Sequence, residues 1–448
     1  MKLMKTGLSP WHSALLVSQV LLAMTWGDDI TGHVTEFTLR NGLQVIVYAD
    51  SSAPVVTAAV AYRVGSVDEP IGLTGISHML EHMSFKRTDI YRPGQFFRIV
   101  DSAGGQNNGF TASYYTTYYE TFSKDRWELG LRLEAARMNR CVFADSEFAS
   151  EHQVVLEERR LHDNFPLAAL SESFEATAFH VHPLRNPGIG WPADVARLTV
   201  DDVRDWYQRH YNPANAILVV AGDVKPSEVR PRGEHYFGRI KGMPVNRRDY
   251  YDVEPPQLGE RRVTVHRRVS MPTLMIGYHG PGTRDSLRFA GDIAGMIIGH
   301  GRNSRLYKIL VTDSGLATHV SAYFGYEKDP ELFRITVTPK AESLIPRIER
   351  IVDQEILRFQ TEPATERELQ AAKNSALANF VFSRDDIGTM GIILSIYQIT
   401  QGTWRAFASD QERISQVTAD QVQAFAQRYL EPRNKTVGLL LPERREEQ

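Results

Sequence analysis

The sequence predicts an α+β fold of two homologous domains, each a mostly antiparallel β-sheet covered by α-helices. Two observations carry that expectation. The segment LTVDDVRDWYQRHYNPANAILVVAGDV (198–224) matches VTADQVQAFAQRYLEPRNKTVGLLLPE (417–443) without a gap, and Thr199 and Thr418 stand 219 positions apart. A fixed, ungapped offset is the mark of a duplicated unit. Within the first copy, β-rich runs come first and helical runs follow, the order expected of one sheet with helices laid over it. The domains expected are 34–235 and 258–448. Between them, 236–257 is polar and holds Pro244, Pro255 and Pro256, a linker composition.

The elements follow in order. TEFTLRNGLQVIVYAD (35–50) reads as two strands around an Asn41-Gly42 turn, a strong hairpin signal. PVVTAAVAYRVGS (54–66) is a strand rich in β-formers. Residues 74–86 and 94–103 read as helices. NNGFTASYYTTYYETFSK (107–124) reads as a strand pair, and 125 to about 180 as mainly helical. Each repeat then closes with a helix capped by Thr199 or Thr418, a Pro-x-Asn turn and a short apolar strand.

Composition narrows the function. A formal net charge of -3 over 448 residues gives no electrostatic reason to expect a nucleic acid or other polyanion. The single cysteine, Cys141, excludes an internal disulfide and a cysteine-rich zinc site, so any metal here must be held by histidine and carboxylate. Residues 1–27 read as an export signal. Lys2 and Lys5 precede an apolar run from Ala14 to Ala23, with small residues for cleavage at Ala23 or Gly27. The expected location is periplasmic or secreted, with no membrane-spanning helix in the mature chain.

The chemistry is concentrated in GISHMLEHMSF (75–85). On a helix His78 and His82 lie one turn apart on one face, where two imidazoles can share a metal ion. Glu81 stands at the edge of that face, able to reach a metal-bound water without becoming a ligand. Catalytic zinc usually takes three protein ligands, so a third must come from elsewhere. The helix SEFASEHQVVLEERRLHDN (146–164) offers Glu151 and Glu158, two turns apart, with His152, Glu157 and His162 as competitors. Spacing alone does not separate Glu158 from His162.

With these residues in place, the chain resembles the pitrilysin and mitochondrial-processing-peptidase family of inverted-motif zinc peptidases, in its half-length form. The family pattern is His-x-x-Glu-His, a glutamate about seventy residues on, and a second glutamate seven later. Here it falls on His78, Glu81, His82, Glu151 and Glu158. GGQNNGFT (104–111), HPLRNPGIGW (182–191) and GRNSRL (301–306) extend the likeness over nearly the whole chain after the signal. The resemblance implies one zinc ion per chain on His78, His82 and Glu158, with Glu151 orienting a ligand histidine. It implies Glu81 as general base of a zinc endopeptidase, and a clam-shell chamber of which this chain forms half. It places Asn108, Gly109, Phe110 and Thr111 in a substrate-facing edge strand. Of these, Asn108 is the preferred contact, because its amide can bond a peptide backbone.

The second repeat has no His-x-x-Glu-His, and His300 reads as part of a structural turn. In the family an arginine and a tyrosine seven residues later reach the substrate from this repeat. LVTDSGLAT (310–318) places Val311 and Thr318 there instead. A homologous subunit supplying both donors is therefore expected as a heterodimer partner, with a homodimer, or service by Arg305 or Tyr323, as alternatives. The competing functions are a non-catalytic scaffold subunit and a peptide-binding protein of the same fold. A metal-dependent hydrolase of non-peptide substrates has no specific support.

Overall fold

The structure is a computed structural model describing residues 30–245, 253–325, 328–382 and 386–443. The expected export signal, 1–27, lies outside the described residues, as does the middle of the expected linker.

The first sheet holds β1 (Val34–Thr38), β2 (Gln44–Ala49), β3 (Val55–Tyr62), β4 (Gln106–Thr111), β5 (Thr116–Ser123) and β6 (Ala216–Gly222), in the order β1-β2-β6-β3-β5-β4. The second holds β7 (Arg261–Arg267), β8 (Thr273–His279), β9 (Ala317–Phe324), β10 (Leu332–Pro339) and β11 (Lys435–Pro442), in the order β7-β11-β8-β10-β9. Each sheet is mixed, with one parallel pair, β2 with β6 and β7 with β11, among antiparallel ones. Setting β1 aside, the two orders superpose strand for strand, so the duplication seen in the sequence extends to topology. Central β6, AILVVAG, is buried at every position, which is why it reads as an unbroken apolar run rather than an alternating one.

The helices of eight or more described residues are α1 (Ile76–Met83), α2 (Gln95–Ser102), α3 (Glu128–Arg140), α4 (Asp145–Asp163), α5 (Pro166–Ala178), α6 (Val200–His210) and α7 (Pro226–Phe237) in the first repeat. In the second they are α8 (Arg288–Gly299), α9 (Ile345–Thr361), α10 (Glu366–Phe382), α11 (Ile387–Thr400), α12 (Arg405–Gln416) and α13 (Ala419–Tyr429). The repeated threonines both close capping boxes: Thr199 accepts from Asp202 N and Thr418 from Gln421 N, each at 3.2 Å.

Most helices cover one face of their own sheet. Two cross over. α5 packs on β7 and β11 of the second sheet, and α11 packs on β3 and β6 of the first. Phe174 of α5 is fully buried against Gly277 and Gly438, where an added Cβ would lie 2.7 and 2.9 Å from its ring. Met390 and Leu394 of α11 share a core with Ile217, Val219 and Ala221 of β6. α5 and α11 hold equivalent places after the β5 and β10 strands, so the exchange is reciprocal. Among the described residues no helix is long and apolar enough to cross a membrane.

Candidate metal centre

α1 follows β3 through a loop that ends at Gly75, whose φ of +88° only glycine adopts readily. Ile76, Met79, Leu80 and Met83 recur at helical spacing and are buried in the first domain's core. That choice of face turns His78 and His82 the other way, toward α4. α4 is anchored through buried Phe148 and Val155 and presents Glu151 and Glu158 to α1.

The donor atoms converge. His82 Nε2 lies 3.3 Å from Glu158 Oε2, and His78 Nε2 lies 3.8 Å from the same oxygen. The three ligating atoms fall within 4.8 Å of one another. Ligands about 2.0–2.2 Å from a tetrahedral zinc ion stand roughly 3.4 Å apart, so this set fits zinc with little rearrangement. The hydrogen bonds suit it as well. His82 Nδ1 is 3.0 Å from Glu151 Oε1, which leaves Nε2 for the metal, and Lys86 pairs with the same carboxylate. His78 Nδ1 is buried with no hydrogen-bond partner among the described residues.

Electrostatics sort the groups further. Burial, then neighbouring His82, pushes His78 down to about 3, so the imidazole is neutral, as a ligand must be. Burial works to lower His82 too, but the Glu151 hydrogen bond and the Glu158 and Glu81 charges outweigh it and the net shift is upward. Burial works to raise Glu151, yet the hydrogen bonds from His82 and Lys86 hold it below the usual carboxylate range. Burial raises Glu81 against the opposing hydrogen bond from Thr111.

Glu158, rather than His162, is the α4 residue beside the imidazoles. His162 lies against Glu172 at 3.2 Å, in a cluster with Asp163 that Arg159 already fills with hydrogen bonds to both carboxylates. His152 bonds Val195 O at 2.7 Å and Glu157 pairs with Arg160.

Among the described residues β4 pairs only with β5, which leaves its other edge unpaired, and it runs beside α1. Thr111 Oγ1 donates to Glu81 Oε2 at 2.9 Å. Gly109 faces the same way: a Cβ there would lie 2.8 Å from the Tyr118 ring and 3.0 Å from Phe85. Asn108 is exposed and its Oδ1 accepts from Gly109 N at 2.9 Å, while Phe110 sets its ring against Tyr115. The strand's two-residue alternation explains the split, because 109 and 111 share one face and 108 and 110 the other. Thr111, ranked below Asn108 in the sequence reading, is the one that touches Glu81.

Sequence reasoning missed the groups that hold α1 in place. Glu69 accepts from Gly75 N at 2.7 Å and Ser77 N at 2.8 Å. Asp194 accepts from Thr74 Oγ1 at 2.8 Å and Gly72 N at 3.2 Å. Trp206 Nε1 donates to Ser77 Oγ at 3.1 Å. Behind the other end of α1, fully buried Arg137 donates to Ser84 O at 3.2 Å, to Glu120 at 3.0 Å and to Glu134 at 2.9 Å. Its guanidinium lies over Phe85, Phe96 and Tyr118, at 4.4, 4.4 and 4.2 Å from the ring centres. Burial and the adjacent Glu134 carboxylate push Glu120 well above the usual carboxylate range. Only HPLRNPGIGW signalled any of this: Gly190 packs against Thr74, where an added Cβ would lie 2.3 Å from the carbonyl oxygen.

In the second domain, Val311 is half-buried in a widened helical turn, Lys308–Asp313, and Thr318 is exposed on edge strand β9. Arg305 is engaged by Glu368 at 2.7 Å and Glu355 at 3.0 Å.

Comparison with known proteins agrees with this layout. Residues 44–190 match the pattern described as insulinase (peptidase family M16), and residues 197–376 match the M16 inactive domain. The chain is 29% identical over 413 residues to the zinc protease PqqE of Helicobacter pylori, covering 90% of this chain and 92% of that protein. It is 27% identical to an uncharacterized zinc protease of Mycobacterium leprae, with 89% and 90% covered. The crystal structure of a protease from Helicobacter pylori superposes with a TM-score of 0.86 at 28% identity, over 91% of this chain and 99% of that one. The periplasmic protease PqqL of Escherichia coli shares the fold at a TM-score of 0.76 and 16% identity, this chain matching 47% of its length. Sheet order, inverted histidine motif and both matched patterns lead to one assignment: the chain belongs to the M16 (insulinase/pitrilysin) family of peptidases, as a half-length member with an N-terminal peptidase domain and a C-terminal inactive one.

Proposed function

We propose that this chain is a zinc-dependent endopeptidase acting on extended peptides or small unfolded proteins. The observation that carries the reading is the convergence of His78, His82 and Glu158 with Glu81 held beside them by Thr111. His78, His82 and Glu158 would hold one zinc ion, which supplies Lewis-acid polarisation of the scissile carbonyl and a lowered pKa for water. Glu151 fixes the His82 ring. Glu81 accepts the proton of the attacking water and delivers it to the leaving amine. The free edge of β4 gives a peptide main chain a strand to pair with, and Thr111 keeps the Glu81 carboxylate turned toward that strand.

The second domain lacks the expected donors at Val311 and Thr318, and Arg305 is tied down by two carboxylates. This favours a homologous partner subunit that completes the chamber and supplies an arginine and a tyrosine. A non-catalytic peptide-binding role has no comparable support. The N-terminal sequence favours export to the periplasm or beyond.

The test joins metal analysis to peptide cleavage. One zinc per chain is expected, and Glu81→Gln should retain it while losing about 10²- to 10⁴-fold in turnover, the range for a positioned general base. A variant that cleaves like wild type would sink the enzyme assignment. Full activity from the isolated chain would remove the need for a partner.

A further inference from the structure

α1 is only eight residues long, and a helix that short is marginal unless something outside it fixes its place. Its two imidazoles are aimed differently. His82 is oriented by the bond from Nδ1 to Glu151. Among the described residues His78 Nδ1 is buried without a hydrogen-bond partner, so its direction is set by its backbone and by the edge-on contact of its ring with His82. The backbone one residue earlier is held by Glu69. Both carboxylate oxygens are used, Oε2 on Gly75 N and Oε1 on Ser77 N. Among the described residues Glu69 forms no ion pair with a lysine, arginine or histidine, and its charged neighbour is Asp68, of like sign. The buried carboxylate is therefore held by those two N–H groups, by the Ser77 hydroxyl and by the positive end of the helix. Arg137, at Ser84 O, completes the matching arrangement at the negative end.

We propose that Glu69 is a positioning residue of the metal centre: its carboxylate locks the first turn of α1, and so sets the rotation at which His78 faces His82 and Glu158. The role extends the zinc reading above and rests on it for one readout, but not for the other. Glu69→Gln keeps size and one acceptor while turning an NH₂ group against a backbone N–H. In metal-free full-length protein, hydrogen–deuterium exchange over residues 73–85 should quicken about tenfold with the rest of the chain unchanged. In the metal-loaded protein, zinc Kd, read by competition with a chromophoric chelator, should weaken about tenfold, and the visible band of the cobalt form should shift. Val352→Ala, a destabilising change in the second domain's core, controls for loss of stability: it should quicken exchange across the chain rather than over 73–85 alone, and leave zinc Kd and the cobalt band unchanged. Exchange and Kd both at wild-type values would overturn the proposal. If Glu69→Gln does not fold, Glu69→Asp decides on the same two criteria. Failure of both to fold would also overturn it, since Glu69 would then serve the fold and not the site. If the wild type binds no zinc, the zinc reading falls and the exchange result alone decides the role of Glu69.

Discussion

Thr111 and Glu81 show what a single contact contributes here. The hydroxyl donates to a carboxylate that burial pulls toward protonation, and it opposes that pull. Thr111→Val should lower kcat about tenfold with little change in KM, the loss expected when a charge-assisted hydrogen bond worth about 1.5 kcal/mol is removed. Steady-state kinetics on a model peptide decides this, and an unchanged kcat would show the bond to be incidental. At this scale the sequence is informative only where partners are close along the chain. His78, Glu81 and His82 declare themselves by helical spacing. Glu158 and His162 share a face, and only the fold shows that His162 is drawn to Glu172. Glu69, Arg137 and Glu120 look like ordinary surface charges in sequence, because burial and not residue type makes them matter.

The elements were largely legible. The Asn41-Gly42 hairpin, the β4–β5 pair, α1 and the two threonine-capped helices stand close to their expected bounds, each announced by turn chemistry or periodicity. The part of the clamp on α1 made by Trp191, Asp194 and Trp206 was not, since it brings together segments more than a hundred residues apart. It yields a prediction. Gly190 has φ +87° and no room for a Cβ, so Gly190→Ala should destabilise by about 2 kcal/mol or more, visible as a lower Tm. A second prediction concerns Arg305. Its hydrogen bonds hold Glu368 at about 2, below the ordinary 4.5. A carboxylate depressed in the folded state stabilises fully above its unfolded pKa and loses that contribution as pH falls toward the folded one. The Tm difference between wild type and Arg305→Met should therefore be widest at pH 7, narrow through pH 4 to 3, and nearly vanish at pH 2. A gap independent of pH would show that the ion pair is not its source.

At the scale of the molecule, the duplication was legible as a constant offset, and the matching sheet orders follow from it. The exchange of α5 and α11 was not. Chain neighbours are the default packing partners, and 166–178 reads simply as more of the first repeat's helices. The apolar run in IGTMGIILSIYQIT hints at burial on several sides, but not at whose sheet it covers. Because each sheet is closed by a helix of the other repeat, the domains should unfold as one unit. Phe174→Ala, in α5, should cost about 3–5 kcal/mol and lower the urea midpoint of both sheets together, followed by exchange in β6 and β11. Two separate transitions would show that the domains are energetically independent.

Closure by a distant helix also has a consequence for synthesis. β6 leaves the ribosome long before Ile387–Thr400 does, and until then Ile217 and Val219 lack their cover. A product cut short between β6 and α11 would leave that greasy face bare and prone to aggregate, however intact its histidine motif.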